Sequence, residues 1–337
     1  MYNKIKKSFL VQIIKLNEFH YNNSIEFKKI TNLFFKKRKI KKIESIPFIP
    51  ARLFKEIDLK SIPNIKIFKT LYSSGTSSNT PSKIFLDKEN AERQTRVLNE
   101  IVTKILGKKR IPMLIIDEKI NIDSKNKFDA KTAAIIGFSF FGRNYNYLIK
   151  NKKIDYEIFN NFLQNYSKES FLIFGFTSYV YQYLINELDK SKINFDLSKA
   201  ILIHGGGWKK MSSMNISNTE FKDKLKKYLK INSIYNYYGL IEQTGSIFFE
   251  CKSCGCFNPS KYSDIIIRDK YFNVLPKKKI GYLQLISLLP TSYPGHSILT
   301  EDLGEIIENN CNECKNQKKF LVHGRVEQSE VRGCSDI

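Results

Sequence analysis

The stretch "KAILIHGGG" (Lys199–Gly207) decides the fold. Its apolar run, Ala200–Ile203, is too short for a helix and ends in a histidine and three glycines. That is how a strand buried on both faces reads when it runs into a tight loop. Downstream, "NTEFKDKLKKYLK" (Asn218–Lys230) spaces Phe221, Leu225 and Leu229 as a helix does. "NSIYNYYG" (Asn232–Gly239) then repeats the strand-into-glycine pattern. Strand, helix, strand, with loop chemistry after each strand, predicts an α/β fold with a largely parallel sheet.

The pattern extends outward. "RIPMLIID" (Arg110–Asp117) and "SFLIFGF" (Ser170–Phe176) read as further buried strands, and "LDKENAERQTRVLNEIVTKIL" (Leu86–Leu106) as a helix. After Cys251 the signals shorten and become β-like, as in "DIIIRD" (Asp264–Asp269) and "GYLQLISLLP" (Gly281–Pro290). The first 45 residues read as basic and helical, and "IPFIPARLF" (Ile46–Phe54) as a proline-punctuated extended connector. The expected division is a helical segment over residues 1–70 packing on the core, an α/β core over 71–250 and a β-rich part over 251–337.

The chain has 337 residues, 42% of them hydrophobic and 13% aromatic, enough for a substantial core and against global disorder. Its net charge of +23 invites a nucleic-acid reading. The lysines are spread along the chain, however, with "FFKKRKIKKIES" (Phe34–Ser45) the densest cluster, so the charge reads as solvated surface that favours anionic ligands. No run of 18 apolar residues predicts a membrane span. Gln12 and Lys15 interrupt the N-terminal apolar stretch and no small-residue cleavage site follows, so a cytoplasmic protein is expected.

Five stretches carry candidate chemistry. "LYSSGTSSNTPSK" (Leu71–Lys83) crowds hydroxyls and Gly75 ahead of a lysine; it is either a phosphate cradle or a surface linker, and it is not a Walker A sequence. "HGGGWKK" (His204–Lys210) lets a backbone approach a flat ligand, or simply turns, and His204 reads as a packed strand-end residue. "YNYYGLIEQTG" (Tyr235–Gly245) puts Tyr238, Gly239 and Glu242 after a strand, where α/β folds bind ligands and a carboxylate can hold Mg²⁺; a capped turn with a surface glutamate is the alternative. "LTEDLGEI" (Leu299–Ile306) offers Glu301 and Asp302 in a turn, and "HGRVEQSEVRGCSDI" (His323–Ile337) offers Arg325 and Cys334.

Of six cysteines, Cys251, Cys254 and Cys256 form one cluster and Cys311 and Cys314 a second. Two C-x-x-C pairs on separated segments fit a tetrahedral structural zinc site of Cys251, Cys254, Cys311 and Cys314. Gly255 suits the knuckle turn, and Cys256 is an alternative to Cys254 as ligand. Cys334 is left free.

The order of these loops resembles the adenylate-forming enzyme superfamily. "ARLFK" (Ala51–Lys55), "SSGT…PSK", "HGGGWKK", "SYPGHSILTEDLG" (Ser292–Gly304) and "GRVEQSEVRGCSDI" resemble more closely the acyl-protein synthetases of bacterial bioluminescence, the LuxE type. The resemblance covers the chain from about residue 70 and implies that superfamily's large domain: layered α/β subdomains and a smaller β-rich part, without the mobile C-terminal domain. It implies that Ser73, Ser74, Gly75, Thr76, Ser77 and Lys83 lie against the ATP phosphates. Gly205, Gly206, Gly207, Tyr238 and Gly239 would border the nucleotide, Glu242 would hold Mg²⁺, and Asp302 and Arg325 the ribose. Cys334 would carry the acyl group. The phosphate loop departs from the family by being longer and poorer in glycine. The lysine of the missing domain also needs a substitute, for which Lys83 and Lys209 are candidates.

The implied activity is ATP-dependent activation of a carboxylic acid, expected to be fatty, followed by transfer to Cys334 and on to a reductase or carrier protein. An acid–thiol ligase acting directly on coenzyme A or a carrier is the alternative. A zinc-ribbon nucleic-acid module would explain the cysteines and not the ordered loops.

Overall fold

The computed structural model describes residues 2–35, 40–73, 80–120, 128–187, 195–207, 216–315 and 317–326. Two compact units form, one from Met1–Ile101 with Gly239–Glu330 and one around Val102–Tyr238.

The first unit opens with helices α1 (Tyr2–Asn23) and α2 (Ile25–Phe34). Ser24 separates them by capping α2, its side chain accepting from Phe27 N–H. The connector expected at Ile46–Phe54 contains strand β1 (Ile49–Pro50) and the one-turn helix α3 (Leu53–Glu56). Strands β2 (Lys69–Tyr72) and β3 (Lys83–Leu86) pair as an antiparallel hairpin, and helix α4 (Lys88–Leu106) follows.

The second unit is the parallel sheet read from the sequence. It contains β4 (Ile111–Glu118), β5 (Phe128–Asp129), α5 (Ala130–Ser139), β6 (Gly142–Lys150), β7 (Lys153–Ile154), α6 (Tyr156–Tyr166), β8 (Phe171–Phe176) and α7 (Thr177–Tyr179). A π-helical run, Val180–Glu187, is followed by β9 (Ala200–Gly205), α8 (Asn218–Leu229) and β10 (Ser233–Gly239). Strands β10, β9, β8, β4 and β6 lie side by side in that order, all parallel. The apolar runs of β4, β8 and β9 are explained by burial on both faces. On one face Leu114, Ile116, Ile173 and Leu202 pack with α6, the π-helical run and α8 through Phe159, Leu184, Phe221 and Leu225. Tyr181 and Tyr183 of the π-helical run belong to this core.

The chain then returns to the first unit with β11 (Ile247–Glu250), β12 (Phe257–Asn258), β13 (Ser263–Arg268), β14 (Gly281–Ser287), β15 (Ser297–Ile307) and β16 (Lys319–Arg325). Neighbours β13-β14-β15-β16-β12-β11 are antiparallel, and β1 adds to β15 in parallel. Helix α1 docks here, Phe9 and Ile13 packing with Ile266, Ile286 and Leu288. His20 of α1 is fully buried: Nδ1 lies 2.7 Å from Ser61 Oγ and Nε2 3.0 Å from Pro290 O, and its ring stacks on that of His296.

Candidate functional site

In the first unit the β2–β3 hairpin sets Tyr72 opposite Lys83. Ser73 and Ser82 close the neck of the connecting loop. Ser73 N–H donates to Ser82 O at 3.1 Å, and Ser82 N–H donates to Ser73 Oγ at 2.8 Å. Ser74, Gly75, Thr76 and Ser77 lie outside the described residues. Ser82, fully buried, donates from Oγ to Glu242 Oε1 at 2.8 Å. Glu242 is therefore not a surface group: it is 3% exposed. The adjacent Gln243 pins the short helical turn that carries it, donating from Nε2 to Leu285 O at 3.1 Å and Gly295 O at 2.8 Å. Burial, and after it the negative charge of Glu242, holds the Tyr293 phenol well above the usual tyrosine range. Lys83 Nζ rests 3.0 Å from Asp58 Oδ1, in a pair about half open to solvent.

Asp302 and Arg325 face each other in register across β15 and β16, with Arg325 Nε 3.4 Å from Asp302 Oδ1. The turn expected at Asp302 is instead part of an eleven-residue strand. A register shift between Leu303 and Gly304 accommodates it, and Gly304 is required because a Cβ there would lie 2.5 Å from Leu321 O.

In the second unit the C-terminal ends of β8, β9 and β10 align, Phe176 beside Gly205 and Gly205 beside Tyr237. A Cβ on Gly205 would lie 2.4 Å from the Tyr237 ring, and Gly206 takes a φ of +76°. No described atom lies within 4 Å of where a Cβ on Gly207 would sit, and Tyr238 and Gly239 close β10. This is the rim where open α/β sheets bind ligands. Beneath it His204 is buried, Nδ1 2.9 Å from Thr177 Oγ1, which donates to Gly205 O at 3.1 Å. Burial lowers its pKa to about 3, so it is neutral and structural. Lys209 and Cys334 lie outside the described residues.

The cysteines come together in the first unit. One ligand atom each from Cys251, Cys254, Cys311 and Cys314 lies within 4.8 Å of the others. Cys251 Sγ is 3.6 Å from Cys311 Sγ, and Cys254 Sγ 3.5 Å from Cys314 Sγ. A tetrahedral S₄ shell with metal–sulfur bonds of about 2.3 Å has edges of roughly 3.8 Å, so the spacing fits. The pairs occupy the β11–β12 and β15–β16 connections. Gly255, at φ +70°, turns the first knuckle, with its N–H donating to Cys251 O at 2.9 Å. Cys256 Sγ lies 3.3 Å from Cys254 O and 3.5 Å from Asn309 Nδ2, outside the set of four.

Two participants carried no sequence signal. Ser82 sits inside the quoted hydroxyl-rich loop, and its partner is 160 residues away. Asp117, at the end of β4, is tied to Lys131 at the start of α5.

This architecture is that of the adenylate-forming ligases. The chain resembles 2-hydroxyisobutyryl-CoA ligase, solved in its postadenylation state with 2-HIB-AMP, with a TM-score of 0.74 at 13% identity over 95% of this chain and 68% of that one. It also resembles the amide bond synthetase McbA from Marinactinospora thermotolerans (TM-score 0.52, 12% identity, 86% and 54% covered). ATP-bound MatB from Rhodopseudomonas palustris is similar at a TM-score of 0.52 and 12% identity, with 79% and 49% covered. No curated protein matches. The profile of the acyl-protein synthetase, LuxE family matches residues 2–337, and the chain belongs to that family. It is accordingly an ATP-dependent, AMP-forming ligase that activates a carboxylic acid and passes the acyl group to an acceptor. No described helix is long and apolar enough to cross a membrane.

Proposed function

We propose that the chain converts a carboxylic acid, on the family's pattern a fatty one, to its acyl-adenylate and takes the acyl group onto Cys334 before release to a partner reductase or carrier. A carboxylate is a poor acyl donor because its leaving group would be oxide. Attack of a carboxylate oxygen on the α-phosphorus of ATP expels pyrophosphate and turns that oxide into AMP. A thiolate then attacks the acyl carbon, AMP leaves, and a thioester remains.

The observation that carries this reading is the 2.8 Å bond from Ser82 to the buried Glu242, which ties the neck of the hydroxyl-rich loop to a carboxylate. Ser73, Ser74, Gly75, Thr76 and Ser77 then meet the phosphates. Glu242 would hold Mg²⁺, and the ion would supply positive charge beside the phosphate oxygens. Lys83 joins them by exchanging Asp58 for phosphate; exposed pairs of this kind contribute only about 0–1 kcal/mol, so the exchange costs little. Asp302 accepts from the ribose hydroxyls, oriented by Arg325, while Gly205, Gly206, Gly207, Tyr238 and Gly239 border the base. Cys251, Cys254, Cys311 and Cys314 hold a structural zinc.

The test is acid-dependent exchange of pyrophosphate into ATP. Glu242→Ala and Asp302→Ala should each lower it about 30- to 1000-fold, the loss of roughly 2–4 kcal/mol in a closed site. Folded protein that catalyses no exchange over a broad acid panel, with a partner supplied, would refute the reading. For the second step, Cys334→Ser should still make adenylate and lose the hydroxylamine-labile label from radioactive acid. Unchanged labelling would exclude Cys334 and favour direct ligation to an external thiol.

A further inference from the structure

The second unit holds a charged pair that the steps above do not use. Asp117, the next-to-last residue of β4, has a side chain 3% exposed, and Lys131 Nζ lies 2.9 Å from its Oδ1. Glu118 N–H donates to the same oxygen at 2.8 Å. The second oxygen, Oδ2, is buried with no partner among the described residues. Burial pushes the Asp117 carboxyl up and Lys131 opposes it.

Lys131 stands in the first turn of α5, whose N-cap Asp129 accepts from Thr132 N–H at 2.7 Å and so already meets the positive end of the helix. Lys131 also lies 5.1 Å from the centre of the Tyr179 ring, and 14% of its side chain stays accessible. A largely buried charged pair is costly unless its remaining hydrogen-bonding capacity is met, and Asp117 Oδ2 meets no partner among the described residues.

Its position is specific. Ile116 is in register with Gly175, and Phe176 with Gly205, so Asp117 is level with the first of the three glycines on the same C-terminal rim. Two strand spacings, roughly 10 Å, separate the two positions. On α5, Phe138 stacks on Phe174 of β8 at 4.4 Å and lies 5.2 Å from the Tyr237 ring. The helix that presents Lys131 therefore covers the sheet face on which Tyr237 meets Gly205.

We propose that Asp117 and Lys131 select the acid, and that the acid bears a hydroxyl group on its acyl chain. Within this pair Lys131 offers a hydrogen and Asp117 Oδ2 needs one. A hydroxyl is the smallest group that accepts from the first and donates to the second. An unsubstituted chain would leave Asp117 Oδ2 without a donor, and sites built to bond a hydroxyl reject analogues that lack it strongly. The inference rests on the acid-activating reading above and names its substrate class.

The experiment compares acids of equal carbon number, with and without a hydroxyl at successive positions, in pyrophosphate exchange and in thermal-shift binding. Wild-type protein should favour one hydroxy acid over its parent by roughly 10- to 100-fold in kcat/KM, the range of a hydrogen bond to a charged group. Lys131→Met should remove that preference, leaving the parent acid and the KM for ATP within about threefold. Each single variant leaves a buried charge alone, so Asp117→Asn/Lys131→Met, which leaves none, is measured beside them and should lose the same preference. Equal losses on hydroxylated and parent acids, or a wild-type preference for the parent, would overturn the inference and leave acid activation standing. Absence of exchange with every acid would instead refute acid activation. The thermal shift would then decide the inference: a Tm rise with a hydroxy acid alone, lost in the double variant, supports it, and no such rise overturns it.

Discussion

At the scale of single residues, Ser82 links the two halves of the proposed phosphate chemistry. Its hydroxyl donates to a carboxylate that water does not reach, and hydrogen bonds to charged groups contribute about 1.5–3 kcal/mol. Ser82→Ala should therefore lower pyrophosphate exchange roughly 10- to 100-fold and raise the Mg²⁺ concentration for half-maximal rate, with the KM for the acid unchanged. A Mg²⁺ titration identical to wild type would mean that Ser82 only packs the hairpin. The sequence did not show this residue's importance, because a serine among serines is distinguished only by what folding brings to it. Glu242 was legible as a candidate from its place after a strand, but its burial was not, because that depends on Ser82 and Tyr293 converging from elsewhere and on the adjacent Gln243 reaching Leu285 and Gly295.

At the scale of elements, strands were the most legible. The β4, β8 and β9 runs are apolar because neighbours cover both faces, and apolar runs survive in a one-dimensional reading. The two-residue β1, paired to β15 across some 250 residues, left no such trace. The cysteine knuckles were legible for another reason: metal ligation fixes spacing within each pair, and the pairing of knuckles needs only that the sulfurs be left over together. Zinc should be found at about one per chain, and stripping it should loosen the β11–β12 and β15–β16 connections first. Hydrogen exchange before and after chelation measures this, with protection expected to fall around residues 251–258 and 307–319. Unchanged protection there, or less than about half a zinc per chain after gentle purification, would defeat the assignment.

At the scale of the whole molecule, acid sensitivity follows from the histidines. Of four, His20, His204 and His296 are buried. Burial lowers His20 and His204 to about 3, and His296 well below its ordinary value of 6.5. The unfolded chain binds these protons near pH 6.5 and the folded chain does not, so the stability they contribute is complete above 6.5 and declines as pH falls. Each costs about 1.4 kcal/mol per pH unit below that point. Between pH 7.5 and 5.5 the unit with His20 and His296 should lose roughly 2.7 kcal/mol and the unit with His204 about half as much. Urea midpoints at the two pH values measure it; equal midpoints would mean that the rings are protonated in the native state.

The docking of α1 has one more consequence, for synthesis. His20 and its acceptor Pro290 are 270 residues apart. At about 5–20 residues per second, a ribosome takes roughly 15–55 s to cover that interval. Throughout it Phe9 and Ile13 have emerged without the strands they pack on, while the second unit, contiguous in sequence, can fold between them. The nascent N-terminus is thus expected to need chaperone protection during synthesis, and a message truncated before β13 would release it without Ile266, Ile286 and Leu288.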